Sequence, residues 1–82
     1  MEELLKMKNK NLCGKRVKLA RIEKDMKQVD LSAALSVDFE IEISQKALSR
    51  LERGVRPVKD FELVALAKLL GVEVTWLLFG KK

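Results

Sequence analysis

The chain has 82 residues, of which 48% are hydrophobic and 35% charged, and its formal net charge is +5. This length and composition indicate one small folded domain rather than a disordered segment. Because the chain has one cysteine and no histidine, it lacks the usual ligands of zinc and iron–sulfur sites and the usual base of a catalytic nucleophile. It also lacks the glycine-rich loops that bind nucleotides. The sequence therefore predicts no cofactor, metal, small-molecule ligand or enzymatic activity.

The sequence also predicts a location and a domain organisation. No apolar run approaches the ~20 residues that span a bilayer, and the N-terminus lacks the apolar core of a secretory signal. A single cysteine suits a reducing compartment, so we expect a cytoplasmic protein that does not bind a membrane. Residues 1–11 are expected to form an N-terminal extension, followed by a single domain over residues 12–80.

Two helices are predicted in the first half of the domain. The first covers about residues 12–24, where Cys13, Val17 and Ala20 form one apolar stripe. The second covers about residues 28–35, with Leu31 and Leu35 facing inward. Lysine and arginine crowd the first third of the chain, and such clustering favours a polyanionic partner.

The segment "VDFEIEI", residues 37–43, alternates apolar residues with acids. This period of two is typical of a half-buried extended segment. Since no second strand candidate exists to pair with it, we expect a packed, extended loop. Phe39 and Ile41 should then be mostly buried, and the three acids should face solvent.

The third predicted helix, residues 44–53, separates two faces. Ser44 is a suitable N-cap, and Gly54 suits the position after the helix. Ala47, Leu48 and Leu51 fall on one side. The other side carries hydrogen-bonding side chains: Gln45, Lys46, Ser49, Arg50 and Arg53. Such a face is either simply solvated or meets a partner rich in acceptors and negative charge, as DNA is.

Two helices complete the chain, over about residues 59–70 and in the short segment "TWLLF". The fourth is apolar nearly all round, and only Glu62 and Lys68 interrupt it. A surface helix should show a polar face. We therefore expect the inserted loop, the N-terminal extension or another subunit to cover its outer side.

Taken together, these segments resemble the helix-turn-helix domain of the phage repressor and Cro family, also called the xenobiotic-response-element family. The resemblance covers about residues 13–80. It rests on four segments in order: "GKRVKLAR", "KQVDLSAAL", "ISQKALSRLERG" and "LAKLLGVEVTWLLFG". It implies an all-α, five-helix, phage-repressor-like DNA-binding domain. The turn between helices 2 and 3 is extended by an insertion of about six residues.

The resemblance also implies roles for individual residues. Four match positions that read base edges: Gln45, Lys46, Ser49 and Arg50. Five are expected to contact DNA phosphates: Lys27, Gln28, Ser44, Arg53 and Arg56. Arg21 and Glu52 match a structural ion pair between helices 1 and 3. Trp76 and Phe79 lie in the region through which members of the family pair two subunits.

The resemblance implies a sequence-specific double-stranded DNA-binding protein, a transcriptional repressor acting as a homodimer. The alternative is an antitoxin or anti-regulator that acts mainly through a protein partner, with the acidic insertion as its contact. The salt dependence of DNA binding separates the two, because each neutralised phosphate steepens it.

Overall fold

The structure is a computed structural model, and it describes residues 10–80. Within that range the chain forms five helices and no strand: α1 Gly14–Glu23, α2 Gln28–Phe39, α3 Gln45–Glu52, α4 Asp60–Leu70 and α5 Val74–Phe79. The predicted all-α, five-helix fold is confirmed. Residues 1–9 of the expected N-terminal extension lie outside the described residues.

The core collects buried side chains from every helix. Seven large side chains have no exposed surface: Val17, Leu31, Leu35, Leu48, Leu51, Leu66 and Leu77. Each contributes about 1.5–3 kcal/mol relative to leaving it exposed. Because α3 and α5 have only 8 and 6 residues, they are too short to be stable in isolation. Packing against this core therefore holds both in place.

The start of α1 is fixed to the end of α3. Asn11 Nδ2 donates to the carbonyl oxygens of Leu51 (3.0 Å) and Arg56 (2.7 Å), while Asn11 Oδ1 accepts from the Gly14 N–H at 2.7 Å. A Cβ on Gly14 would collide with the Leu51 carbonyl oxygen and lie 2.9 Å from that of Glu52. Glycine at position 14 thus permits the close approach. Asn11, the last residue of the expected N-terminal extension, is bonded to the loop end of α3.

The insertion between α2 and α3 differs from the sequence prediction in its first half. α2 continues through Phe39, one turn beyond its predicted end at Leu35. The helix ends at Glu40, which is left-handed with φ 55°, and the Ile41 N–H donates to the Leu35 carbonyl at 3.1 Å. The extended conformation predicted for residues 37–39 is therefore wrong. An existing helix gains a hydrogen bond with each added residue, whereas an extended segment had no strand to pair with.

The rest of the insertion forms the expected non-helical connection, residues 40–44. Phe39 and Ile41 are partly buried against the core, and Asp38, Glu40 and Glu42 are exposed, as expected. Val37, the first apolar residue of the alternating segment, is 79% exposed because the helical period turns it outward.

The outer side of α4 leaves two apolar side chains exposed and buries a charged one. Phe61 and Val64 are 54% and 45% exposed, so the inserted segment leaves both accessible. Glu62, expected to interrupt the surface, is instead buried at 4% exposure. Glu62 can be buried because Arg56, in the loop after α3, donates hydrogen bonds to its carboxylate.

Candidate nucleic-acid interface

The helix α3 presents one buried and one exposed face. Leu48 and Leu51 are fully buried, and Ala47 packs against the core. The opposite face carries the four predicted base-reading residues, of which Gln45, Lys46 and Arg50 are exposed and Ser49 is partly exposed. Positions i, i+1, i+4 and i+5 share one side of a helix. The structure therefore brings these four side chains together on one surface.

The N-terminus of α3 is capped as the sequence predicted. Ser44 Oγ accepts a hydrogen bond from the Ala47 N–H at 3.1 Å. Such a cap contributes about 1 kcal/mol. It also fixes where the exposed polar face of α3 begins, because Gln45 is the first residue of the helix.

A buried polar network sets the orientation of α3 against α1 and α2. Arg21 on α1 donates from Nε to Glu52 Oε2 at 2.7 Å and from Nη2 to Glu52 Oε1 at 3.0 Å. Gln28, the first residue of α2, donates from Nε2 to the same Oε1 at 3.0 Å. Glu52, at the end of α3, therefore joins three helices. Arg21 also donates from Nη1 to the Met26 carbonyl at 2.7 Å, which fixes the turn between α1 and α2.

The residues expected to contact phosphates occupy different environments. Lys27, Ser44 and Arg53 are exposed, and Gln28 is partly buried with its amide nitrogen bonded to Glu52. Lys27 and Gln28 lie where α2 begins, Ser44 where α3 begins, and Arg53 directly after α3. Exposed cations therefore lie where α2 begins and directly after α3, and exposed positive charge attracts a polyanion.

Arg56 is more constrained than an open phosphate ligand would be. Its guanidinium donates to both carboxylate oxygens of Glu62, at 3.0 and 3.1 Å, and to the Pro57 carbonyl at 2.9 Å. Burial raises the pKa of Glu62, but the hydrogen bonds from Arg56 and from the Lys59 N–H outweigh burial and leave that pKa below its ordinary value. The pair fixes the loop after α3 to the start of α4.

Arg56 nevertheless lies beside the exposed polar face of α3. A shallow depression of about 300 Å³ is lined by Ser44, Lys46, Arg50, Val55 and Arg56, together with Ala47 and Pro57. Val55 is 49% exposed there, and no sequence pattern had indicated it. Asn11 and Glu62 were also missed as residues that position the site. Their partners lie far along the chain or in a loop, so no local pattern indicated them.

The apolar side chains of the C-terminal helix α5 differ in how far they are buried. Leu77 is fully buried, Trp76 is half-buried against the core, and Phe79 is 56% exposed. Arg16 on α1 donates to the Leu77 and Leu78 carbonyls at 3.3 and 3.4 Å and so caps the end of α5. Of the two residues expected at a subunit contact, Phe79 is therefore the more accessible.

Two other kinds of site are not found in the part of the chain that the structure describes. Residues 10–80 contain no group of three or more acidic or cysteine side chains placed to hold a metal ion. Over the same residues, no helix combines the length and the hydropathy that crossing a bilayer requires.

Comparison with known proteins agrees with this geometry. A helix-turn-helix family model matches residues 17–77, which run from within α1 to within α5 and make up most of the chain. A search of curated proteins returns no match. The successive helices α2 and α3 correspond to the pair of helices that defines a helix-turn-helix. The chain therefore belongs to the helix-turn-helix family of Cro/C1-type domains, which bind DNA.

Proposed function

We propose that the protein is a sequence-specific transcriptional repressor that binds double-stranded DNA as a homodimer. The observation that carries this proposal is the exposed polar face of α3, backed by the fully buried Leu48 and Leu51. A rigidly packed helix with one polar face has the shape and size to enter the major groove, which is about 12 Å wide.

The chemistry of this face supports direct reading of bases. The Gln45 amide can pair bidentately with adenine, and Lys46 and Arg50 can pair with guanine O6 and N7. Ser49 can bond to several bases and adds little discrimination. The proposed preference is therefore for half-sites that combine adenine with guanine on the strand facing α3.

Phosphate contacts at the border of α3 would fix its register on the duplex. Lys27 and Gln28 at the start of α2, and Ser44 and Arg53 at the two ends of α3, are assigned to these contacts. Arg56 has five N–H donors in total, of which the intramolecular bonds use three. Its proposed contribution is therefore chiefly to hold the loop, with at most a secondary phosphate contact.

The exposed Phe79 supports pairing of two subunits through α5. Two copies related by a two-fold axis would cover the exposed rings and present two α3 helices to successive major grooves. Their centres would then lie about 34–36 Å apart, one turn of DNA. Occupation of such a site excludes other proteins from the same base pairs, which is the proposed basis of repression in the cytoplasm.

Selection of bound duplexes from a random pool tests the proposal. The pool should converge on a roughly palindromic site, and sedimentation of the complex should show two subunits per site. The Gln45→Ala variant serves as a control, because it should weaken the selection without unfolding the protein. A pool that does not converge would contradict the proposal and favour an antitoxin or anti-regulator that acts through a protein partner.

A further inference from the structure

Two serines of α2 hold the connection to α3 in place. Ser32 Oγ donates to the Ile43 carbonyl, and Ser36 Oγ donates to Glu42 Oε1 at 2.7 Å. The two serines are four residues apart and so lie on one side of α2. The connection is thus bonded to α2 at two successive residues, directly before the N-cap Ser44.

This arrangement fixes a carboxylate beside the start of the recognition helix. Glu42 is exposed and lines a surface concavity of about 620 Å³, which it shares with Ser44 and Gln45 at the α3 end and Val29 on α2. The hydrogen bond from Ser36 sets the direction of the side chain. A carboxylate offers about four acceptor sites, so the bond to Ser36 leaves capacity for another donor.

A carboxylate that faces base edges distinguishes them by whether they offer a hydrogen-bond donor. Phosphates repel it, so it weakens binding unless a donor meets it. In the major groove the base-edge donors are the amino groups of cytosine (N4) and adenine (N6), whereas guanine O6 and N7 and thymine O4 are acceptors. We infer that Glu42 is a specificity-determining residue of the DNA interface, positioned by Ser36, and that it favours an amino-bearing base beside the one read by Gln45. This inference rests on the proposed function.

A purely structural role for Glu42 makes different predictions. A carboxylate near a helix N-terminus interacts favourably with the helix dipole. Its removal would lower stability and leave base preference unchanged. Glu40 provides a matched control, because it is also an exposed glutamate of the connection but does not line the concavity.

The test compares the wild type with Glu42→Gln, Ser36→Ala and Glu40→Gln. Affinity is measured at one salt concentration for the selected site and for every single-base-pair variant of it, and thermal unfolding is measured for each protein. Glu42→Gln should reduce discrimination at one base pair, adjacent to the pair read by Gln45, by about five- to tenfold. Ser36→Ala should reduce discrimination at the same base pair by a smaller factor. Glu40→Gln should change affinity for all sequences alike.

Two results would overturn the inference while leaving the proposed function intact. One is an equal change for Glu42→Gln and Glu40→Gln on every sequence, which would show a general charge effect. The other is a lower unfolding temperature for Glu42→Gln with unaltered discrimination, which would show a structural role. Failure of the wild-type protein to prefer any duplex would overturn both the inference and the proposed function.

Discussion

Replacement of Glu52 by alanine tests the network that orients α3. Glu52 is 4% exposed and accepts three hydrogen bonds, two from Arg21 and one from Gln28. Its removal leaves Arg21, itself 8% exposed, as a buried charge without its carboxylate. Breaking a buried pair in this way costs about 3–5 kcal/mol. Since domains of this kind have a free energy of unfolding of about 5–15 kcal/mol, Glu52→Ala should lose a large share of it.

Urea unfolding followed by helical circular dichroism measures this loss. The midpoint should fall while the slope stays constant, which indicates a change in stability alone. The double variant Arg21→Met/Glu52→Leu removes both charges, and it should be less destabilised than Glu52→Ala because no buried charge is left unpaired. A loss below about 1 kcal/mol for Glu52→Ala, or a double variant at least as destabilised as Glu52→Ala, would refute this reasoning.

Three further outcomes follow from the structure. The pKa of Glu62 lies below its ordinary value of 4.5, so its ion pair stabilises the fold above pH 4.5, and this stabilisation is lost as the pH falls through the pKa of the folded protein. The difference in urea midpoint between wild type and Glu62→Gln should therefore shrink as the pH falls below 4.5. A difference that stays constant would contradict this. Cys13 is 1% exposed and burial raises the pKa of its thiol, so a thiol reagent at neutral pH should react with it only in molecules that have unfolded. Rapid labelling of the native protein would count against this burial. Phe79→Glu should weaken subunit pairing on DNA without lowering the unfolding temperature, as sedimentation and melting together would show.

Helix α3 was predictable because its signals are local. Ser44 marks its start, Gly54 marks its end, and the apolar spacing of Leu48 and Leu51 fixes which side is buried. The observed bounds, Gln45–Glu52, lie within one residue of the predicted ones. The resemblance supplied the partner of Glu52, since neither periodicity nor composition relates it to Arg21, 31 residues earlier.

Local signals could not predict which of two backbone conformations a segment adopts, or which residues contact partners far along the chain. The alternation of residues 37–43 favoured an extended segment, yet α2 gained hydrogen bonds by continuing to Phe39. The sequence indicated that Glu62 is a surface charge. In the structure it is buried, and two hydrogen bonds from Arg56 offset the cost of burying it. Asn11 bonds to carbonyls 40 and 45 residues away. No pattern within one helix contains such information.

The most direct test of DNA reading by α3 compares Gln45→Ala with Arg53→Ala. Binding of each to the selected site and to a random duplex is measured by fluorescence anisotropy over a range of salt concentrations. Gln45→Ala should lose about 1–3 kcal/mol on the selected site and almost nothing on random DNA. Arg53→Ala should weaken both about equally and reduce the salt slope by about 1. Equal losses on both duplexes for Gln45→Ala would contradict the claim that the exposed face of α3 reads the sequence.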